Sequence, residues 1–251
     1  MNLSTPVEQI PRVGPQYQKR LKKLGIKTVR DLLFHFPHRY EDFSTIKNIS
    51  EVKINENVCI QGKILEIKNL KTWKKRMILT QALVKDDSGV IKVVWFNQPY
   101  LINVLKEENF VCLAGKATSA KEGIYLSSPA YEKIFEAEYN VAKKDLTHTG
   151  RLIPVYPETE GLSSRWLRAI IKPLLVSSKR EISDSIPEKT RTRYHFPPIQ
   201  KALWQVHFPD SLLDAKRSKE RFAFEELFNL SLFVLKEKIK IKSERAISIP
   251  I

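Results

Sequence analysis

The sequence predicts an α+β chain in which a small barrel of five strands lies between an N-terminal helical unit and C-terminal helices. Three observations carry that expectation. Apolar residues recur at helical spacing up to about Tyr40, the period falls to two between about Glu51 and Ser128, and helical spacing returns after Ser163. A chain of 251 residues holds one large or two small domains and needs no staples. The expected divisions are a helical unit over 1–49, a barrel over 50–135, a linker with irregular helices over 136–215, and a long helix over 216–251.

In the N-terminal unit, Gly14 and Pro15 mark a helix start, and Tyr17, Leu21 and Leu24 give it an apolar side. Gly25 ends that helix, being free to adopt positive φ. Thr28 is the expected N-cap of a second helix, Val29 to Phe36, closed by Pro37. Two helices around a glycine turn resemble helix-hairpin-helix modules, whose turns offer backbone N–H groups to a phosphate. The alternative is a packing unit with no ligand, and residue type does not separate the two. Lys22 and Lys23 suit a polyanion or a solvated face equally well.

Strands are expected at Val58–Ile67, Met77–Val84, Val90–Phe96, Phe110–Ala117 and Ile124–Ser128, the last ending before Pro129. A short helix or turn, Tyr100–Leu105, separates the third from the fourth. That count, with Gly-centred turns, matches the Greek-key barrel of the OB type. The link after the first strand, Lys68 to Arg76, carries five cations and Trp73, a combination suited to nucleic acid or to a soluble loop tip. Val90–Tyr100 ends in Trp95, Phe96 and Tyr100, interrupted by Pro99. Large aromatics are usually core, yet rings beside clustered cations are also what stacking on unpaired bases requires.

Beyond Glu132 the chain reads as a charged linker, then an extended Leu152-Ile-Pro-Val-Tyr-Pro segment. A helix capped by Ser163 or Ser164 runs to about Val176, with Pro173 expected to kink or split it. Ile199–Val206 is a short helix. Ser218–Lys242 is a long one with an apolar face of Phe224, Leu227, Phe228, Leu232, Leu235 and Ile239, expected to pack against another element inside this chain or beyond its end.

A formal charge of +15, from 43 Lys and Arg against 28 Asp and Glu, points to a polyanionic partner, nucleic acid before membrane. No spanning apolar run, signal peptide or lipidation motif speaks for a membrane. Cys59 and Cys112 are expected to be buried free thiols, so a reducing, cytoplasmic setting is expected. Gly115-Lys116-Ala117-Thr118 fails as a phosphate loop, because Phe110 holds the upstream glycine position and Ala117 replaces the metal-binding hydroxyl. His35 and His38 lack companions for a zinc set. No catalytic residue, cofactor site or metal site is expected in these residues.

Several segments together resemble the N-terminal region of the bacterial RecG family of ATP-dependent DNA helicases. They are Val13-Gly14-Pro15, Leu24-Gly25-Ile26-Lys27-Thr28 through Leu33, Pro37-His38-Arg39-Tyr40-Glu41-Asp42, Asp87-Ser88-Gly89, Phe96-Asn97, Pro154 through Leu162 and Arg221 through Leu227. The resemblance implies an OB wedge that grips a branched DNA junction in repair and recombination and splits its arms. It implies base stacking by Phe96 and Tyr100, with Trp95 turned inward. Phosphate contacts are implied at Lys71, Lys74, Lys75 and Arg76, with further DNA contacts at Trp73, Gly14, Lys22 and Lys23. The ATP and magnesium of the family belong to its motor domains, expected beyond this chain, as are its own helicase domains as partners. Rival expectations are a protein-interaction barrel taking the tail of a single-strand-binding protein, and a general single-strand binder.

Overall fold

The computed structural model describes residues 2–71, 77–120, 123–139 and 146–243. Its strands β2 (Asn57–Lys71), β3 (Ile78–Lys85), β4 (Val90–Phe96), β5 (Phe110–Ala120) and β6 (Gly123–Ile134) close into a barrel in the order β2-β3-β4-β6-β5. Every pairing is antiparallel except β4 with β6. This is the five-stranded OB topology expected.

Alternation explains the barrel core. Val58, Ile60 and Ile64 of β2, Ile91, Val93 and Trp95 of β4, and Val111 and Leu113 of β5 point inward into one cluster. The intervening Cys59, Cys112 and Ala114 point outward but remain buried, because Phe43, Leu146 and Ile153 cover them. A second, two-stranded sheet accounts for that cover: β1 (Arg39–Asp42) pairs antiparallel with β7 (Leu152–Val155). Period-two reading misses both strands, since each is only four residues long.

Two irregularities bend the barrel. A bulge between Ile64 and Glu66 takes up one residue, so Ile64 and Ile67 both reach the core despite their odd spacing, while Leu65 is exposed. The expected end of the fifth strand before Pro129 is corrected: β6 runs on to Ile134. Pro129 is tolerated there because the β5–β6 register shifts between Ala114 and Lys116, with Ser128 at φ 43°. Gly115 lets the proline approach, since a Cβ at that position would lie 2.8 Å from the Pro129 Cα.

The chain forms two compact units, residues 37–171 and residues 1–36 with 172–251. The second unit therefore joins the N-terminal helices, expected to stand as a segment of their own, to the C-terminal ones. In α1 (Pro15–Lys23) and α2 (Val29–Leu33) the expected starts are present, with Gly14 the N-cap, Gly25 at φ 77° and a capping box of Thr28 and Asp31, but α2 ends at Leu33, short of the expected Phe36. The His207 Nε2–H, from α6 (Ile199–His207), donates to the Leu33 carbonyl at 2.8 Å. Phe36 meets Phe222 at 4.6 Å between ring centroids.

The helix α4 (Ser164–Ser177) contains Pro173 without being split. A short helix α5 (Glu188–Arg193) lies within the region expected to hold irregular helices. The long helix α7 spans Leu212–Ser243, and its buried stripe is Ala215, Ser218, Arg221 and Phe222. Of the apolar face expected further along, Phe224 and Phe228 are partly buried and stack at 5.8 Å between centroids, while Leu227, Leu232, Leu235 and Ile239 are exposed. Its central charge, Arg221, is fully buried between Asp184 and Glu225, each at 2.6 Å.

Candidate nucleic-acid interface

The end of β4 turns a run of alternating residues into a displayed pair of rings. Trp95 is 1 % exposed, with its indole N–H donating to the Pro129 carbonyl at 2.9 Å and its ring edge-on to Tyr131. Phe96, one residue on, must face the other way, and it is 36 % exposed. The chain then turns through Asn97, at φ 53°, and Pro99, bringing Tyr100 to 53 % exposure. Leu101 and Leu105 anchor α3 (Leu101–Val104) from below, both fully buried.

Hydrogen bonds fix that turn from the neighbouring strands. The Asn69 side chain donates to the Pro99 carbonyl at 3.0 Å, and the Asn97 N–H donates to the Ile78 carbonyl at 2.8 Å. The Thr80 hydroxyl, which is buried, lies 2.9 Å from the Gln98 carbonyl and 2.7 Å from Asn69 Oδ1. Tyr100 donates to Gln98 Oε1 at 3.0 Å. Two exposed rings are thus presented on an ordered scaffold, which limits the entropy lost when a planar partner settles on them.

A third ring, covered by a cation, stands beside Tyr100. The Arg165 guanidinium lies 4.1 Å from the Tyr131 ring centre and donates to the Tyr131 carbonyl at 3.0 Å. Partial burial, reinforced by Tyr131 and opposed by Arg165, raises the Tyr100 hydroxyl above its ordinary pKa, so it is a neutral donor at physiological pH. Arg168, one turn nearer the end of α4, is 5 % exposed. It donates to His148 Nδ1 at 3.2 Å and to the Pro154 carbonyl at 2.8 Å, and burial lowers its pKa to about 10. Sequence reading passed over Tyr131, Arg165 and Arg168. Arg165 and Arg168 sit in a segment read only as a helix start.

Of the other expected residues, Lys71 ends β2 opposite Ile78, exposed, two positions beyond Asn69 and hence at the same edge as the turn. Trp73, Lys74, Lys75 and Arg76 lie outside the described residues. Gly14, Lys22 and Lys23 belong to the other compact unit. There Lys22 pairs with Glu8 at 2.9 Å, and Lys23 is exposed. Cys59 and Cys112 are buried with sulfurs 3.4 Å apart. Among the described residues no three His, Cys, Asp or Glu side chains are gathered to hold a metal ion, and no helix is long and apolar enough to cross a membrane.

An ATP-dependent DNA helicase RecG from Thermotoga maritima is 31% identical over 255 residues, covering 100% of this chain and 31% of the relative. The corresponding protein of Bacillus subtilis is 31% identical over 242 residues, covering 96% of this chain and 33% of the relative. The chain therefore spans about a third of the length of these curated relatives. A solved structure, described as RecG bound to a three-way DNA junction, superposes with a TM-score of 0.74 at 30% identity, over 96% of this chain and 32% of that one. The family model of the RecG wedge domain matches residues 6–177, the barrel with both its flanks, and the chain belongs to that family.

Proposed function

We propose that this chain binds branched DNA as a wedge, with Phe96 and Tyr100 stacking on the bases where two arms part. The observation that carries the reading is the opposed orientation of adjacent rings: Trp95 fills the barrel while Phe96 and Tyr100 stand out on a hydrogen-bonded turn. Stacking of bases on aromatic rings is worth about 1–3 kcal/mol per base and tolerates any sequence, as every base has a π-face. Lys71, with Lys74, Lys75 and Arg76 on the same link, supplies phosphate neutralisation, consistent with the formal charge of +15. The solved relative, described as bound to a three-way junction, supports the branched substrate.

On this reading the chain is the junction-gripping part of an ATP-dependent helicase acting in repair and recombination in the cytoplasm. ATP and magnesium then serve helicase segments outside these residues, which are also its natural partners. Gly14, Lys22, Lys23 and Trp73 are secondary DNA contacts. The tail of a single-strand-binding protein is a further partner, and competition between such a peptide and fork DNA measures whether the two share a surface.

Fluorescence anisotropy on forked, linear duplex and single-stranded DNA tests the proposal. The fork is expected to bind more tightly than either control, with affinity falling steeply as salt rises. Equal affinity for fork and duplex would remove branch recognition, and preference for the plain single strand would make this a general single-strand binder.

A further inference from the structure

An apolar groove of about 510 Å³ lies within the unit made of residues 1–36 and 172–251, between the end of α4, a turn of 3-10 helix at Lys179–Glu181 and the first turns of α6. Helical spacing explains why apolar residues are left over to line it. In α4 the buried stripe is Leu167, Ile170, Ile171 and Leu174, and Val176 falls outside that stripe at 66 % exposure. Val176 forms a rim above Leu175, Ile182, Leu203 and the half-buried Trp204. Hydrogen bonds fix the walls. The Gln200 amide donates to the Ile182 carbonyl at 2.9 Å, and Asp184 accepts from the Ile199 N–H at 3.0 Å and the Ile186 N–H at 3.1 Å. A groove set before its occupant arrives loses little entropy on binding.

The edges of the groove carry one sign of charge. Among the described residues Lys179 and Lys201 line it and no carboxylate does. Glu181, the acid nearest to Lys179 in the chain, is exposed and outside the lining. The first turn of α6 holds Lys201 and no acid, against the usual preference for negative charge at a helix's positive start. Asp184 meets that start at Ile199, but is itself paired with Arg191 and Arg221. The groove is thus apolar within and positive at its rim.

We infer that this groove docks an acidic peptide segment of a partner protein, its bulky apolar side chains around Trp204 and its carboxylates on Lys179 and Lys201. Charge complementarity selects that occupant over a neutral one, and tryptophan is among the residue types that most often anchor such contacts. A nucleic-acid base fits less well. Its polar edges would meet Gln200, whose amide is already engaged by the Ile182 carbonyl, and would otherwise be unpaired against an apolar lining. The inference is independent of the DNA reading, whose stacking rings belong to the other compact unit.

Selection of a random phage-displayed peptide library on the intact chain tests it. Enriched sequences are expected to combine Asp or Glu with Trp, Phe or Leu, and a synthetic copy of the strongest is titrated by fluorescence anisotropy. Val176→Asp sets a carboxylate in the exposed rim and should weaken that peptide about tenfold, as should Lys179→Glu with Lys201→Glu. The control is Lys236→Glu with Lys238→Glu, the same charge change about 20 Å along α7 from Phe222, its last buried residue. Salt screens charges at that range, so the control should stay within about twofold of the wild type. Circular dichroism verifies the fold of each variant. No enrichment, enrichment of peptides without acids, or equal loss with both lysine pairs overturns the inference. So does a selected peptide indifferent to Val176→Asp. Fork affinity lost in Val176→Asp would give the groove to nucleic acid, and a wild-type dimer that Val176→Asp dissolves would give it to a second copy of this chain. Either result also overturns the peptide assignment.

Discussion

Two buried arginines, one in each compact unit, are handled in opposite ways. Arg221 is fully enclosed and grips Asp184 and Glu225 at 2.6 Å, and Asp184 is further held by Arg191 and the Ile199 N–H. Arg168 is nearly as enclosed, but its direct partners are His148 and the Pro154 carbonyl, with the Glu132 and Glu41 carboxylates acting on it from further off, and it lines a cleft beside β5, β6 and β7. Satisfying a buried charge from within marks a structural element. Holding one through neutral groups, with carboxylates only at longer range, makes a weaker structural tie.

The sharpest way to break this comparison is to cut each arginine. Arg221→Ala takes the guanidinium from Glu225 and leaves Asp184 to Arg191 and the backbone N–H groups of Ile186 and Ile199, and should cost about 3 kcal/mol in urea unfolding of the intact chain. A loss under about 1 kcal/mol would mean that the Asp184 network is not structural. A related effect comes from His207, a buried group of the same unit that stays neutral. Burial lowers its pKa to about 4, below the ordinary 6.5. Because the folded value is the lower one, its contribution is complete above about pH 6.5 and is lost as pH falls toward 4, by about 3 kcal/mol at most. Unfolding midpoints measured across that interval should show an acid limb that His207→Gln flattens.

Arg168→Met is expected to cost less, about 1–2 kcal/mol for two lost hydrogen bonds. If Arg168→Met proves as damaging to stability as Arg221→Ala, the two arginines are alike and the distinction drawn between them disappears. Smallest of all is the stability effect of Phe96→Leu with Tyr100→Leu, about 0.5 kcal/mol or less, since both rings are solvent-facing.

Much of the barrel was legible in the sequence because alternation is a strong signal where one face is dry. Residues such as Ile91, Val93 and Trp95 announce their direction. The fifth strand was cut short because Pro129 reads as a terminator until the register shift opposite Gly115 is seen. The pairing of β1 with β7 joins residues more than a hundred positions apart, and nothing local specifies it. The apolar stripe assigned to α7 followed residue type, whereas the buried stripe includes Ser218 and Arg221, which only partners elsewhere in the fold make buriable. For the interface, Phe96 and Tyr100 came from a resemblance. Tyr131, Arg165 and Arg168 could not be found that way, because their grouping arises only when β6 and α4 meet.

Photocrosslinking with 5-iodouracil placed at the branch point of a fork tests the stacking claim most directly, since that base reacts preferentially with an aromatic ring stacked on it. Mass spectrometry of the adducts is expected to place them on Phe96 or Tyr100, and Phe96→Leu with Tyr100→Leu should abolish them. Adducts confined to other segments, such as the helical unit around Gly14, would contradict the assignment of the barrel's exposed rings to the parted bases.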